Sequence, residues 1–502
     1  MTSQPEPVYL SPLDQFMPRS HVPTYLVFPT SDPSAALETF QSGIDRLTTH
    51  LPFLRGRIII PSDKDSRNRL ALVSSPSEDT PVTLTPLINH IGVAAPSSSP
   101  DDQFTTIPTY TQLAAQNAPV EYFANPLPTL TAARQEANPG DGDGGEPVFF
   151  AGYALIEGAV IIAFAAHHGI VDGTGMTNLI RFWAECTSSR ENPATAPRSD
   201  EISLRTKLLW SAIEEQQGGR RPRTTTQRES FEEILGRLSE FQYLSEGGGG
   251  SAPTQKKPKG GTRLFVFDVA KLEAARERLR TTGAGRELDK RALSTNNILM
   301  AVAWGCVTQA RMVRLGGDVG RETSKLGFAI NGRRFLGPTF AETERMYLGN
   351  INVFGLPEVD VSTLAKIGTT CDDEALVRVI EAVWDAIRRV TAPDHIGEVM
   401  TLMETAPDLL KVQSNSVRSH GPDLTATSWA NMDIYGCDFG AGIGKPAFVR
   451  FPWFDSDGLI IMLPRRRGVG IKQTIEVVMA MNLEDMAFLD GSDVWKSWLV
   501  SE

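Results

Sequence analysis

Apolar positions in this chain recur with two periods, and each period marks a kind of element. Leu37, Phe40, Ile44, Leu47 and Leu51 follow one another three or four residues apart, the spacing of one helical face. Asp32 can cap that helix, Pro33 suits its first position and Pro52 ends it. RGRIII (55–60) then predicts a strand. Val148 to Ile156 and Ala159 to Ala166 are unbroken apolar runs of strand length, with Glu157-Gly158 between them, and predict a hairpin. Helical spacing returns at Met176, Leu179, Ile180 and Trp183.

The second half alternates in the same way. TRLFVFDV (262–269), GLIIML (458–463) and TIEVVMAM (474–481) read as strands. STNNILMAVAWGCVTQAR (294–311) and ALVRVIEAVWDAIRRV (375–390) read as helices, the first capped and largely buried, with Trp304 in the core as is Trp183. Residues 91–104 and 135–147 read as solvated loops. EGGGGSAPTQKKPKGG (246–261) has the composition of a flexible crossover. It predicts a lobe over 1–245, a linker over 246–261 and a second lobe over 262–502. The fold class expected is α/β, as a pair of related lobes.

Composition narrows the class of protein. The chain has 502 residues, 41% hydrophobic and 22% charged, as in ordinary globular proteins. Its net charge is −11, and no Lys/Arg-rich block invites a nucleic acid. Cys186, Cys306, Cys371 and Cys437 lie far apart, so neither a zinc site nor a disulfide framework is expected. The start, MTSQPEPVYL, lacks the pattern of a signal peptide, and no apolar run reaches the roughly 18 residues of a spanning helix. A reduced, cytosolic, soluble protein without a membrane partner is expected.

Chemistry concentrates in AFAAHHGIVDGTG (163–175), at a strand–loop–helix junction. At pH 7 about three quarters of an unperturbed imidazole is neutral and able to accept a proton. A lone histidine at a strand end is usually structural. Two histidines, an aspartate and a glycine at these offsets arise by chance on the order of once per thousand such chains. His168 is therefore the candidate general base. His167, on the alternate face of the strand, is assigned to the scaffold. Asp172 either holds the imidazole as in a triad or fixes the loop through a basic partner. Gly173 is read as permitting a sharp turn into the helix. No G-x-S-x-G or reactive cysteine setting accompanies the site, which favours direct transfer over a covalent intermediate.

HHGIVDG resembles the H-x-x-x-D-G motif of the BAHD acyltransferases, and DFGAG (438–442) resembles their D-F-G-W-G. STNNILMAVAW (294–304), NGRR (331–334) and YLGN (347–350) look like further family blocks. The stretch TSWANMDIYGCDFGAGIGKPAFVRFPWF (427–454), IIMLPRRRG (460–468), LEDM (483–486), LSPLDQFMPR (10–19) and LPFLRGRI (51–58) are most similar to the fungal branch containing trichothecene 3-O-acetyltransferases.

The resemblance implies two lobes like chloramphenicol acetyltransferase, with mixed sheets flanked by helices and an active-site channel between them. It implies an acyl-CoA-dependent O-acyltransferase with acetyl-CoA as co-substrate, no permanently bound cofactor, no metal, a small-molecule acceptor and a monomeric state. The acceptor would be a hydroxyl of a fungal secondary metabolite. His168 would be the base, and Asp172 would turn away from it to pair with Arg333. Asp438, Phe439, Gly440 and Gly442 would be architectural, with Ala441 standing where the plant motif has tryptophan. Thr427 and Ser428 would lie beside the active centre, and Trp429 would donate to the tetrahedral oxyanion. Ser294 and Lys445 are either CoA contacts or, respectively, a cap and a surface residue. GAGIGKP (440–446) is no dinucleotide loop, because Pro446 blocks the helix such a loop must open. Arg465, Arg466 and Arg467 are read as a solvated turn, and His21, His50, His90, His395 and His420 receive no role.

Two other readings stand beside this one. A condensation-type enzyme shares H-H-x-x-x-D-G and would draw its acyl group from a carrier protein. A non-catalytic binding protein on the same scaffold would have no need to keep His168, Asp172 and Trp429 together.

Overall fold

The computed structural model describes residues 6–62, 64–74, 81–88, 90–92, 107–137, 145–188, 201–218, 229–244, 260–317, 319–341, 347–417, 421–468 and 472–500. Most of the crossover segment and His420 lie outside these residues. The strand after the crossover begins earlier than expected, at Gly260. Of the loop expected at 135–147, its first residues close the helix Leu127–Ala137 and its last form the short strand Glu146–Pro147.

The apolar run at 159–166 is a strand, Ala159–His167, buried at every position. It is buried throughout because it has neighbours on both edges and cover on both faces. The hairpin partner Phe149–Ile156 lies on one edge and His21–Pro29 on the other, both antiparallel. Gly158, at φ +84, makes the hairpin turn. Phe448–Arg450 and Thr85–Pro86 complete a five-stranded sheet. The capped helices Pro33–His50 and Gly173–Thr187 share one core with this sheet, through Phe40, Ile44, Phe164, Leu179 and Trp183.

The second sheet has seven strands. Along its path run Gly260–Asp268, Thr474–Asn482, Leu459–Met462, Leu424–Ser428, Thr323–Asn331 and Asn352–Gly355, with Glu358–Asp360 paired to Thr323–Asn331. Leu424–Ser428 runs parallel to both neighbours, and the other pairings are antiparallel. The helix Thr295–Arg314 is buried against this sheet, and Trp304 bonds Ser324 Oγ at 2.8 Å. The fold is therefore α/β with two mixed or antiparallel sheets flanked by helices.

The two halves interlock. Phe448–Arg450, far beyond the crossover, pairs with His21–Pro29 of the first sheet. A third core joins Leu13, Leu209 and Ile213 to Met400, Met403 and Leu409. Sequence order did not reveal this exchange, because a three-residue strand carries no periodic signal. Arg450 is fully buried and makes a two-point ion pair with Glu476 of the second sheet, at 3.0 and 3.1 Å. Its three remaining N–H groups donate to the carbonyls of Val449, Asn117 and Ala118, the last two in the left-handed region at φ +57 and +46. Among the described residues, no helix is long and apolar enough to cross a membrane. None of their His, Cys, Asp and Glu groups is arranged to hold a metal ion.

Removing one partner of a buried pair leaves an uncompensated charge, which costs about 3–5 kcal/mol. Glu476→Gln should therefore lower the unfolding free energy by an amount of that order, read as a fall in the denaturant midpoint. A midpoint equal to that of the unmodified protein would show that Arg450 does not depend on Glu476.

Candidate active site

The strand Ala159–His167 ends in a turn, and the helix Gly173–Thr187 begins after it. The turn starts with bonds from the Ile170 and Val171 N–H groups to the His167 carbonyl, at 2.9 and 3.3 Å. His167 is buried, and its Nδ1 accepts from the Gly169 N–H at 3.1 Å. Burial, with the neighbouring His21, His168 and Arg19, pushes its pKa down to about 3. It is a neutral structural acceptor. His21 is not isolated: its ring lies 5.4 Å from that of His167, and its Nε2 donates to the Pro147 carbonyl at 2.6 Å.

His168 is fixed by its backbone. Its N–H donates to the Ser20 carbonyl at 2.9 Å, and its carbonyl accepts from Asn350 Nδ2 at 2.8 Å. Nδ1 is buried without a bonded partner of normal geometry, whereas Nε2 is not sealed in that way. Burial lowers the pKa of the imidazole, and its own peptide group, Asp172, Asn350 and Asp14 oppose the shift. The ring is thus held in the neutral form that accepts a proton.

Asp172 carries four hydrogen bonds, two on each oxygen. Oδ1 accepts from Gly175 N–H at 2.8 Å and Arg333 Nη2 at 2.9 Å. Oδ2 accepts from Arg333 Nη1 at 2.8 Å and Ile351 N–H at 3.0 Å. It is at once the helix N-cap and half of a buried ion pair. All four bonds point away from the imidazole, so the triad alternative has no lone pair left to use. Arg333 is held in turn by the Gly349 and Tyr347 carbonyls, at 2.7 and 3.3 Å.

Gly173 has a different reason from the one expected. Its φ is not positive, and a Cβ there would come within 2.7 Å of Met432 Cε and 3.2 Å of Trp429 Nε1. Gly175 is constrained more severely, since its Cβ would lie 2.0 Å from the Leu348 carbonyl. Both glycines allow the second half of the chain to rest on the helix start. The Trp429 ring is thereby placed beside the residues that follow His168. Trp429 itself is buried edge-on against Phe451 at 5.0 Å, and its N–H donates to the Met462 carbonyl. Its indole N–H makes no bond to the described residues and is not enclosed. Thr427 and Ser428, both half-buried, are the last residues of the central strand Leu424–Ser428.

Other expected site residues lie apart from this centre. Gly440, at φ +95, lies against Ser188, just past the far end of the helix Gly173–Thr187. Asp438 accepts from its N–H at 2.9 Å. Gly442 has φ +91, and Ala441 and Lys445 in the same loop are exposed. Ser294 uses its hydroxyl to cap the helix Thr295–Arg314, accepting from Asn297 N–H at 3.1 Å. The Arg465–Arg467 turn is not wholly solvated: Arg465 and Arg466 are half-buried, and the Arg466 guanidinium sits 4.3 Å from the Phe448 ring centre. Burial raises all four thiols, Cys186 to about 11 and Cys437 to about 12. None offers a thiolate nucleophile. Asn350, Asp14 and Arg205 were not singled out from the sequence, although YLGN and LSPLDQ contain the first two; only contacts across more than 180 residues reveal them.

Comparison with known proteins agrees with the geometry. A model described as Transferase family matches residues 154–493. One described as Trichothecene 3-O-acetyltransferase-like N-terminal domain matches residues 22–186. The chain is 28% identical to a trichothecene 8-O-acetyltransferase of Fusarium sporotrichioides, over 98% of this chain and 97% of that one. It is 24% identical to the O-acetyltransferase ptmV of Penicillium ochrochloron, over 98% and 96%. In fold it is similar to F. graminearum TRI101 complexed with coenzyme A and deoxynivalenol. That likeness has a TM-score of 0.71 at 17% identity, covering 98% of this chain and 99% of that chain.

Asp172→Ala would leave Arg333 uncompensated and the Gly175 and Ile351 N–H groups unpaired. A loss of about 3–5 kcal/mol is expected, read as a fall in soluble yield and melting temperature. A soluble variant that melts normally would contradict the anchoring role.

Proposed function

Because the chain belongs to the Transferase family, the BAHD acyltransferases, we propose that it transfers an acetyl group from acetyl-CoA to a hydroxyl of a fungal secondary metabolite. Relatives that match it end to end are O-acetyltransferases, and a solved protein of like fold holds coenzyme A. The observation that carries the reading is the setting of His168. Its backbone is fixed, its neighbouring carboxylate is spent on Arg333, and Nε2 is left open, while Trp429 packs against Gly173 at the start of the following helix.

In the reaction, His168 Nε2 takes the proton of the acceptor hydroxyl as the oxygen attacks the thioester carbonyl. The Trp429 indole N–H donates to the oxyanion of the tetrahedral intermediate. Collapse breaks the C–S bond, and the departing thiolate of CoA takes the proton back from the imidazolium. The ester and free CoA leave, and no acyl-enzyme forms. Thr427 and Ser428 line the thioester end of the acyl-CoA site, with Ser294 and Lys445 as its outer contacts. The lobes 1–245 and 262–502, joined by the 246–261 crossover, enclose the channel. The enzyme works as a cytoplasmic monomer with no permanently bound cofactor.

The test is release of free thiol from acetyl-CoA in the presence of a metabolite extract. Turnover only with a carrier-bound acyl group would replace this reading with the condensation-type one, and binding without turnover would make the chain a non-catalytic scaffold. His168→Ala should abolish turnover at unchanged melting temperature. In the unmodified enzyme the acid limb of kcat/KM reports the neutral imidazole. Since burial lowers its pKa from 6.5, activity should persist below that pH and fall as protonation sets in. A well-folded, active His168→Ala variant, or an acid limb centred well above 6.5, would remove His168 as base.

Trp429→Phe keeps the ring and removes the donor. It should lower kcat on the order of a hundredfold, about 3 kcal/mol, and leave the KM for acetyl-CoA nearly unchanged. An unchanged kcat would show that the oxyanion is stabilised elsewhere.

A further inference from the structure

Asp14 is a fully buried carboxylate in the short helix Pro12–Gln15, and the reaction as described does not use it. Its Oδ2 accepts from Ser11 Oγ at 2.7 Å, Ser11 N–H at 3.2 Å and Arg205 Nη1 at 3.3 Å. Its Oδ1 accepts twice from one distant residue, from Asn350 N–H at 3.0 Å and Asn350 Nδ2 at 2.8 Å. A capping-box carboxylate normally needs only its own helix start. Here the same group reaches the residue that also holds His168.

The contacts converge on one turn. Asn350 Nδ2 donates to the His168 carbonyl at 2.8 Å, and Arg205 Nη1 donates to the Ile170 carbonyl at 2.8 Å. With the bond from His168 N–H to Ser20, the turn is held at three backbone groups. Two of these bonds come from side chains gripped by Asp14. The adjacent residue, Ile351, gives its N–H to Asp172. Two carboxylates from different parts of the chain thus seize consecutive peptides, 350 by Asp14 and 351 by Asp172.

The chemistry of an amide then fixes an orientation. A carboxylate and a peptide carbonyl can only accept, so the Asn350 NH₂ must face Asp14 and the His168 carbonyl, and its Oδ1 must face away from both. That Oδ1 is buried without a bonded partner, as is Nδ1 of His168. The His168 peptide group, Asp172, Asn350 and Asp14 favour the protonated ring against its burial, so the brace also bears on the basicity of the imidazole.

We propose that Asp14 and Asn350 are positioning residues for the reaction, a brace separate from Asp172–Arg333 that holds the His168 turn, and with it the imidazole, in place for proton transfer. This rests on His168 being the base, so the two must fail separately. His168→Ala tests the base, and the following measurements test the brace. Asn350→Ala retains the Asp14–Arg205 pair. It should lower kcat by ten- to hundredfold, part of the roughly 10²–10⁴ that a positioned base supplies. The KM for acetyl-CoA should stay near its original value, and the acid limb should move to lower pH. Asp14→Asn, which lets the Asn350 amide turn over, should move the limb in the same direction, and it stands in if the first variant does not fold. A folded variant with the original kcat and limb, or a loss of kcat with the limb unmoved, would overturn the brace while leaving His168 as base.

Discussion

The buried pair between Asp172 and Arg333 is the constraint from which the rest of the site follows. It joins residues 161 positions apart, one from each half of the chain, and both partners are almost wholly out of water. Taking two charges out of water costs several kcal/mol per ion, recovered only if every lone pair and N–H finds a partner at good geometry. Asp172 meets that demand through Gly175, Ile351 and two Arg333 nitrogens. The bonds come from one helix start and from two stretches of the second half, so they can all form only when the halves are in register. An apolar contact could hold the halves together without specifying a direction. The charge pair specifies one, and it turns the only neighbouring carboxylate of the motif away from the imidazole. His168, the proposed base, is then left without a triad, and its electrostatics depend on burial and on more distant dipoles.

Much of this was legible in the chain because local signals and the final fold agree. The run at 159–166 is continuously apolar and is a central strand. Asp32 and Ser294 precede helices and cap them, and Asp172 also caps a helix, a role not read from the sequence. The assignment of Asp172 to Arg333 came from the resemblance of NGRR and HHGIVDG to family blocks, since spacing alone left a triad open. What remained hidden is tertiary. The glycine at 173 reads as a turn residue but is required by the approach of Trp429 and Met432. Phe448–Arg450 joins the opposite sheet through three residues, too few to show a period. Asp14 and Asn350 sit in LSPLDQ and YLGN, segments noted only for their resemblance to family blocks, and their bond spans 336 positions.

The burial of His168 has opposing effects on its basicity. A dry pocket favours the neutral ring, which is the form that accepts a proton. It also makes the imidazolium formed during attack costly, so the same pocket must supply partial negative charge. Here the ring's own peptide group, Asp172, Asn350 and Asp14 supply it. The two aspartates act at a distance because their oxygens are occupied by other donors. The balance leaves an imidazole that resists protonation at rest, and in the proposed role the same groups would support the imidazolium once the acceptor's proton arrives.

The two signature motifs lie at opposite ends of one helix. HHGIVDG opens Gly173–Thr187, and the DFGAG loop meets Ser188 immediately after it, with Phe439 packed among Phe28, Phe40 and Trp183. A helix of 15 residues is about 22 Å long at 1.5 Å per residue, far beyond contact with a reacting bond. DFGAG can therefore bear on the proposed site only through this helix. It packs the far end against the first sheet, and Asp172 and Arg333 fix the near end beside the His168 turn. Ala441 is exposed in that loop, so the residue where plant relatives carry tryptophan is not one of the contacts that fix the helix. The contacts that do, Phe439 in the aromatic cluster and Gly440 against Ser188, are the ones this chain retains.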